Sequence, residues 1–316
     1  MDIRYLLWLQ EIRFALGSGI ESFFIFICKN YVIILMTMIP VVIYWVHDKK
    51  TGMRVLLTIC MANFLNGLLK IIFCIYRPWI RDSRIKPSKE AIKGATGYSF
   101  PSGHSTIAVG FFGLFGWLNR KKYPWITAVF WLYCLLLLFS RNYLGVHTPQ
   151  DVAAGFLFGI AAIVLTSMML KFADRYEHGD RLILMVGLVL MVVIILFIEL
   201  KPYPMDYVNG QLLVDPREMR KDSFQQTGAM AGALIGWYLE RNYINFDTPK
   251  YFKEKFVRCV IGFSVLLAAL GLAILVKQVV PAFWIKETFF GGIMFFSGSF
   301  IAPKLFVCWE EHVKMN

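Results

Sequence analysis

Nine stretches of this chain are apolar enough to be buried in lipid, and no other feature limits its fold so strongly. They lie near 31–46, 54–74, 104–118, 125–140, 150–170, 182–200, 224–240, 258–277 and 283–303. A spanning helix needs about 20 mostly apolar residues, with ~17 as a working minimum. The run 152–170 has no charge before Lys171, and 259–276 has none before Lys277. Several others are slightly short, which tilt or burial inside a bundle accommodates. The chain is 58% hydrophobic and 17% charged, against roughly 45–50% and about 25% in soluble domains. These features predict an all-α fold, a polytopic membrane helical bundle of about nine transmembrane helices, with eight as the nearest alternative.

The N-terminus does not read as a cleavable signal peptide. It carries Asp2 and Arg4, and Gln10, Glu11 and Arg13 interrupt its apolar residues; no small-residue cleavage pattern follows. Residues 1–30 are expected to form an interfacial segment ahead of the first span. The cysteines Cys28, Cys60, Cys74, Cys134, Cys259 and Cys308 all sit in or beside apolar runs without paired spacing. That pattern suits neither a disulfide framework nor a zinc site. The net charge of +12 is explained by basic loops facing anionic headgroups rather than by nucleic acid, since no nucleic-acid-binding module is present. Two short connections carry clustered positive charge, Lys49–Lys50 and Arg120–Lys122. Positive-inside reasoning makes these cytoplasmic and puts the loop that ends near residue 103 on the outer face.

Three polar islands interrupt the apolar background. In "LLKIIFCIYRPW", Lys70 lies within an apolar helix and Arg77 precedes Pro78. Seven residues make nearly two helical turns, so both are expected on one helical face. An ionisable residue within a span normally faces the bundle interior, although a snorkelling lysine and an interfacial arginine fit the same letters. In "YSFPSGHST", Ser102 is placed to cap the helix that follows, and the N–H groups near Gly103 and His104 lie at its positive end. In "SRNYLGVHTPQD", Thr148 and Pro149 suit a helix start, and Asp151 falls one turn beyond His147. A carboxylate so placed sets an imidazole's tautomer and turns its other nitrogen outwards. Two candidate spans separate the second and third islands, so all three gather on one membrane face. Their cations, with arginine forks suited to phosphate oxygens, suggest a site for a multiply charged oxyanion.

The motifs Lys70-x6-Arg77-Pro78, Pro101-Ser102-Gly103-His104 and Ser140-Arg141-x5-His147-x3-Asp151 together resemble the three-part signature of the type-2 phosphatidic acid phosphatase superfamily. The resemblance covers residues 70–151 and has no substitution at a signature position. It implies a phosphoric monoester hydrolase or pyrophosphatase that needs no metal or other cofactor and works through a phosphohistidine. On this likeness His147 is the nucleophile, Asp151 orients it, and His104 protonates the leaving group. Lys70, Arg77, Ser102, Gly103 and Arg141 hold the phosphoryl oxygens. The number of spans resembles the layout of glucose-6-phosphatase and sphingosine-1-phosphate phosphatase more than that of the compact lipid phosphatases.

The expected organisation is then a catalytic membrane core over 31–170 and further membrane helices over 171–316, within one domain. The leading expectation is a plasma-membrane lipid phosphatase with its site on the extracytoplasmic face, acting on a lipid that bears phosphate or pyrophosphate. A phosphatase for a soluble sugar phosphate is the alternative. A non-catalytic anion binder or transporter is a third reading, against which the His/Asp/His set argues. Gly228, Gly232 and Gly236 form a stripe expected to serve helix packing. The loop 201–223 is expected either to cover the site or to be an ordinary connection.

Overall fold

The computed structural model describes residues 2–95, 97–208 and 210–315. The chain forms α1 (Asp2–Ile27), α2 (Asn30–Val46), α3 (Lys49–Phe73), α4 (Pro78–Arg81), α5 (Lys89–Lys93), α6 (Gly103–Ala108), α7 (Leu114–Asn119), α8 (Pro124–Tyr143), α9 (Pro149–Arg175), α10 (Gly179–Leu200), α11 (Pro216–Leu239), α12 (Phe252–Val279), α13 (Phe283–Phe296) and α14 (Ala302–Met315). One small hairpin, β1 (Tyr207–Val208) and β2 (Gln211–Leu212), pairs antiparallel with Tyr207 opposite Leu212. The fold is therefore all-α, as the apolar patterning predicts.

All nine apolar stretches fall on helix. Among the described residues, six helical stretches are long and apolar enough to cross a membrane: Lys49–Arg81, Pro124–Tyr143, Pro149–Arg175, Gly179–Leu200, Phe252–Val279 and Phe283–Val313. A shorter apolar helix covers Ile34–Val46. The stretch 104–118 is divided by a π-helical turn at Val109–Gly113 between α6 and α7. The stretch 224–240 is the apolar end of α11, whose first turns read "PREMRKDSFQQT".

The chain divides into two compact units, each assembled from separated segments. The first contains residues 1–36, 65–164 and 201–220. Here the second part of α1, beyond a break at Gly17, packs against the end of α8 and the region of α5. Phe24, Ile27 and Cys28 meet Ala91, Ala95, Tyr143 and Leu144 in a buried cluster. Arg13, itself buried, donates to the carbonyls of Tyr143 and Lys86. The loop after α10 is tied down in this unit. Tyr76 donates to Asp206 at 2.6 Å, and Met219 packs on Cys74 and Tyr98.

The second unit contains residues 37–64, 165–200 and 221–316. Its α11 and α13 touch backbone to backbone along the glycine stripe. A Cβ on Gly228 would stand 1.9 Å from the Thr288 carbonyl oxygen, and one on Gly232 2.1 Å from that of Gly292. Glu287 is buried in the same unit and accepts from Gln225 at 2.6 Å and Lys277 at 2.7 Å. Buried Arg258 pairs with Glu310 at 2.7 Å and donates to the Trp45 carbonyl.

Packing this close tolerates no side chain. Gly232→Val is expected to destabilise the protein by about 1–3 kcal/mol or more through overpacking, read as a lowered thermal midpoint in detergent. Gly271→Ala in α12, where nothing lies within 4 Å of the added Cβ, should leave the midpoint within a few degrees of the parent.

Candidate active site

The first polar island ends differently from the sequence expectation. Helix α3 stops at Phe73, and Cys74 adopts a left-handed backbone with φ 48°. Arg77 is extended (φ −63°, ψ 152°) and caps α4, which opens on Pro78. Lys70 and Arg77 thus do not share one helical face. The physical reason lies in Pro78, whose ring disfavours helical geometry at the preceding residue. The two cations still reach the same region. Lys70 Nζ donates to the Tyr98 carbonyl at 2.6 Å, and Arg77 Nε donates to the Gly97 carbonyl at 3.1 Å.

The second island is held between α3 and α9. Asn66, one turn before Lys70, donates to the Pro101 carbonyl at 3.1 Å and to Thr106 Oγ1 at 3.3 Å. The Ser102 N–H donates to the Asp151 carbonyl at 2.9 Å. Ser102 is the N-cap of α6, and its Oγ accepts from the Ser105 N–H and the Ser105 hydroxyl. Ser102 is therefore the cap that the sequence predicts. Gly103 lies against Asn66, where a Cβ would stand 3.2 Å from Oδ1. His104 Nε2 donates to the Cys28 carbonyl at 3.2 Å, a contact made by the chain just beyond α1.

The third island begins at the end of α8. Gly145, at φ 72°, closes that helix as the left-handed residue of a Schellman motif: Val146 N–H reaches the Arg141 carbonyl and Gly145 N–H that of Asn142. The turn returns the chain so that His147 stands near Arg77. Helix α9 then starts with a reciprocal cap. Thr148 N–H donates to Asp151 Oδ2 at 2.8 Å, and Asp151 N–H donates to Thr148 Oγ1 at 3.3 Å. Asp151 is thus both a capping residue and the neighbour of His147, with Nδ1 3.5 Å from Oδ2.

Arg77 Nη1 lies 2.8 Å from His147 Nε2 and donates to the Val146 carbonyl at 3.1 Å. The same Nη1 is 3.5 Å from His147 Nδ1, so the guanidinium lies against both ring nitrogens and does not by itself choose the tautomer. Nδ1 is the nitrogen turned towards the Asp151 carboxylate, which when ionised can only accept. Burial, followed by the positive charge of Arg77, holds His147 well below the ordinary histidine pKa despite the opposing effect of Asp151. The ring is therefore neutral at physiological pH, with the Arg77 guanidinium against it.

Lys70, Arg77, Arg141, His147 and Asp151 are all buried. Arg141 Nε has no hydrogen-bond partner among the described residues. Arg141 and His104 line a cavity of about 270 Å³ that also touches Cys28, Lys29, Glu90 and Lys93. A larger cavity of about 700 Å³ in the second unit is lined by the Lys49–Glu240 and Arg241–Asp174 ion pairs and by none of the motif residues. Size alone does not find the site. The structure brings Arg77, His147 and Asp151 into direct contact and puts His104 and Arg141 on one cavity. Lys70, near the end of α3, and Ser102 with Gly103, at the start of α6, are held in the same unit.

Three neighbours escaped the sequence reading: Asn66, the Cys28 carbonyl and Ser99. Ser99 Oγ donates to Asp151 Oδ2 at 2.6 Å and stands 3.4 Å from His147 Nδ1. The only sequence hint for Asn66 is a polar side chain one turn from Lys70 in an apolar helix, and Ser99 reads as a loop serine.

Comparison with known proteins supports the signature. A family model described as the PAP2 superfamily matches residues 51–175, and one described as PAP2 superfamily phosphatase, transmembrane extension, matches residues 224–310. The undecaprenyl-diphosphatase of Sulfolobus acidocaldarius is 29% identical over 148 residues, 46% of this chain and 68% of that protein. Human sphingosine-1-phosphate phosphatase 2 is 24% identical over 242 residues, 75% of this chain and 53% of the relative. Phosphatidylglycerophosphatase B of Bacillus subtilis is 26% identical over 165 residues, 50% of this chain and 73% of the relative. No solved structure matches the chain significantly.

The electrostatics predict a measurable protonation state. In protein labelled with carbon-13 histidine, the His147 ring, assigned by its loss in His147→Ala, should remain mostly neutral at pH 6.5, where free histidine is half protonated. Half-protonation at or above that pH would mean that Asp151 outweighs burial and Arg77.

Proposed function

Because the chain belongs to the PAP2 superfamily, we propose that it is an integral-membrane lipid phosphatase that hydrolyses a phosphate ester or diphosphate through a phosphohistidine at His147. One observation carries this reading: His147 Nε2 stands 2.8 Å from the buried guanidinium of Arg77, while Nδ1 is turned to Asp151. A phosphoryl oxygen that accepts from Arg77 takes over its N–H and leaves Nε2 to attack phosphorus. The relatives bear the same reading in their names, which specify undecaprenyl diphosphate, sphingosine 1-phosphate and phosphatidylglycerophosphate phosphatases.

In the proposed sequence, Arg77, Arg141 and Lys70 meet the charge on the phosphoryl group. Ser102, whose oxygen already accepts two bonds, offers its proton, and the Gly103 N–H at the start of α6 adds another donor. Fixed donors of this kind stabilise the charge that develops in the transition state. The Nε2–P bond forms as the P–O bond to the leaving group breaks, and His104 supplies the proton that the leaving oxygen takes. Asp151 steadies the Nδ1–H as the ring becomes cationic. Water then attacks phosphorus with His104 as base, the N–P bond breaks, and inorganic phosphate leaves. These donors cover the charge of the phosphoryl group without a metal ion.

Lipid burial of the helices makes the bilayer the route by which a lipid substrate arrives. The clusters Lys49–Lys50 and Arg120–Lys122 support a site on the extracytoplasmic face of the plasma membrane, by the positive-inside rule.

Purified protein should release phosphate from a panel of phospholipids, sphingoid-base phosphates and polyprenyl diphosphates, undiminished by EDTA. Vanadate should inhibit it. His147→Ala should lower kcat by at least about 10³-fold, and Asp151→Asn by about 10² or more. Full turnover in His147→Ala would overturn the nucleophile assignment. Release only from soluble sugar phosphates would overturn the lipid reading.

A further inference from the structure

Asp151 Oδ2 receives more than the histidine. The Ser99 hydroxyl reaches it at 2.6 Å and the Thr148 N–H at 2.8 Å, whereas His147 Nδ1 stands farther off at 3.5 Å. The same Nδ1 is 3.4 Å from Ser99 Oγ. Both contacts from Nδ1 lie beyond the usual length of an N–H···O bond, so neither acceptor alone orients the ring tightly.

The ionised Asp151 carboxylate can only accept, so the ring nitrogen turned to it, Nδ1, is the one that carries the hydrogen. Carboxylate Oδ2 can only accept while ionised, so the 2.6 Å contact commits the serine proton to Asp151. The serine oxygen then keeps its lone pairs for Nδ1–H. Serine and carboxylate form a two-oxygen cradle that the ring proton faces.

Ser99 is also well anchored. It is fully buried, its N–H donates to the Ile75 carbonyl at 2.7 Å, and its carbonyl lies 3.5 Å from Lys70 Nζ. Its hydroxyl is thereby set from the α3 end of the site, while Asp151 is set from α9.

We propose that Ser99 is a positioning residue for the reaction at His147, its hydroxyl bridging Asp151 and the ring Nδ1–H so that Nε2 is held towards the phosphoryl group. This rests on the phosphohistidine reading above. No bond to Ser99 forms or breaks. When Nε2 takes on phosphorus, the ring becomes cationic and its Nδ1–H becomes a stronger donor, shared between Ser99 Oγ and Asp151 Oδ2. Loss of the hydroxyl leaves the ring with one distant acceptor and a wider range of orientations, which affects the attack more than substrate binding.

The test is a double-mutant cycle with kinetics on a lipid substrate that the parent protein hydrolyses. Ser99→Ala removes only one buried oxygen, and should lower kcat by about 10-fold or more while KM stays within about twofold. Ser99→Thr restores a hydroxyl and should recover most of kcat. In an Asp151→Asn background, Ser99→Ala should cost less than about threefold, because the cradle is already broken. Equal multiplicative losses in both backgrounds, or an unchanged kcat in Ser99→Ala, would overturn the proposal whatever Ser99→Thr does. A readout independent of turnover separates this from the functional reading. Nitrogen-15 spectra of His147 should show protonated Nδ1 and bare Nε2 in the parent protein, and a mixture of tautomers in Ser99→Ala. A parent protein that releases no phosphate from any lipid would sink the functional reading, and unchanged tautomers in Ser99→Ala would sink this one.

Discussion

Burying positive charge beside a neutral imidazole is the constraint on which the first compact unit depends. Lys70, Arg77 and Arg141 are withdrawn from water, and Asp151 is the carboxylate among the motif residues. An ionised group costs several kcal/mol to bury without adequate compensation. The fold offsets this with backbone carbonyls: Tyr98 for Lys70, and Gly97 and Val146 for Arg77. Carbonyl dipoles solvate a cation without cancelling its charge. The cluster therefore keeps a net positive field suited to a phosphoryl anion, and the same field helps to keep His147 unprotonated.

Helix ends supply that arrangement. Several of them converge on the candidate site, each with a local reason to begin or stop where it does. Cys74 turns left-handed after α3, Arg77 precedes a proline, Gly145 closes α8, and Thr148 with Asp151 opens α9. Structural and proposed functional roles coincide at several residues. Ser102 caps α6 and is the proposed donor to phosphate, and Asp151 caps α9 and faces His147. Asking whether such residues are caps or site residues sets up a false choice, because a helix N-terminus that needs an oxygen also presents N–H groups to an anion.

Much of the helical content was legible from hydropathy, since lipid admits few alternatives to a helix at an apolar stretch. The motif residues were legible too. His147 and Asp151 meet as their four-residue spacing suggests, although His147 precedes the Thr148 cap of α9 and the contact is made around that cap. Legibility failed at the joints. Periodicity carried the helix of Lys70 through to Arg77, although the pre-proline restriction argued against it. The role of α1 was also hidden. Nothing in residues 1–30 says that the Cys28 carbonyl accepts from His104 or that Arg13 holds the Tyr143 and Lys86 carbonyls. Backbone acceptors have no residue-type signature, so only coordinates reveal them.

By itself, then, the sequence determined which segments are helical, which side chains carry the proposed chemistry, and in what order they come. Those follow from local rules: burial of apolar runs, helical spacing, and the capping habits of Ser, Thr, Asp and Pro. The tertiary structure decided that Arg77 lies against the His147 ring, 2.8 Å from Nε2, and not beside Lys70 on one helix. It also brought Asn66 against Pro101 and Thr106, and Ser99 against Asp151, contacts between partners distant in the chain. Contacts between residues separated by 35 to 70 positions depend on where whole helices end and turn, and no local pattern encodes that distance.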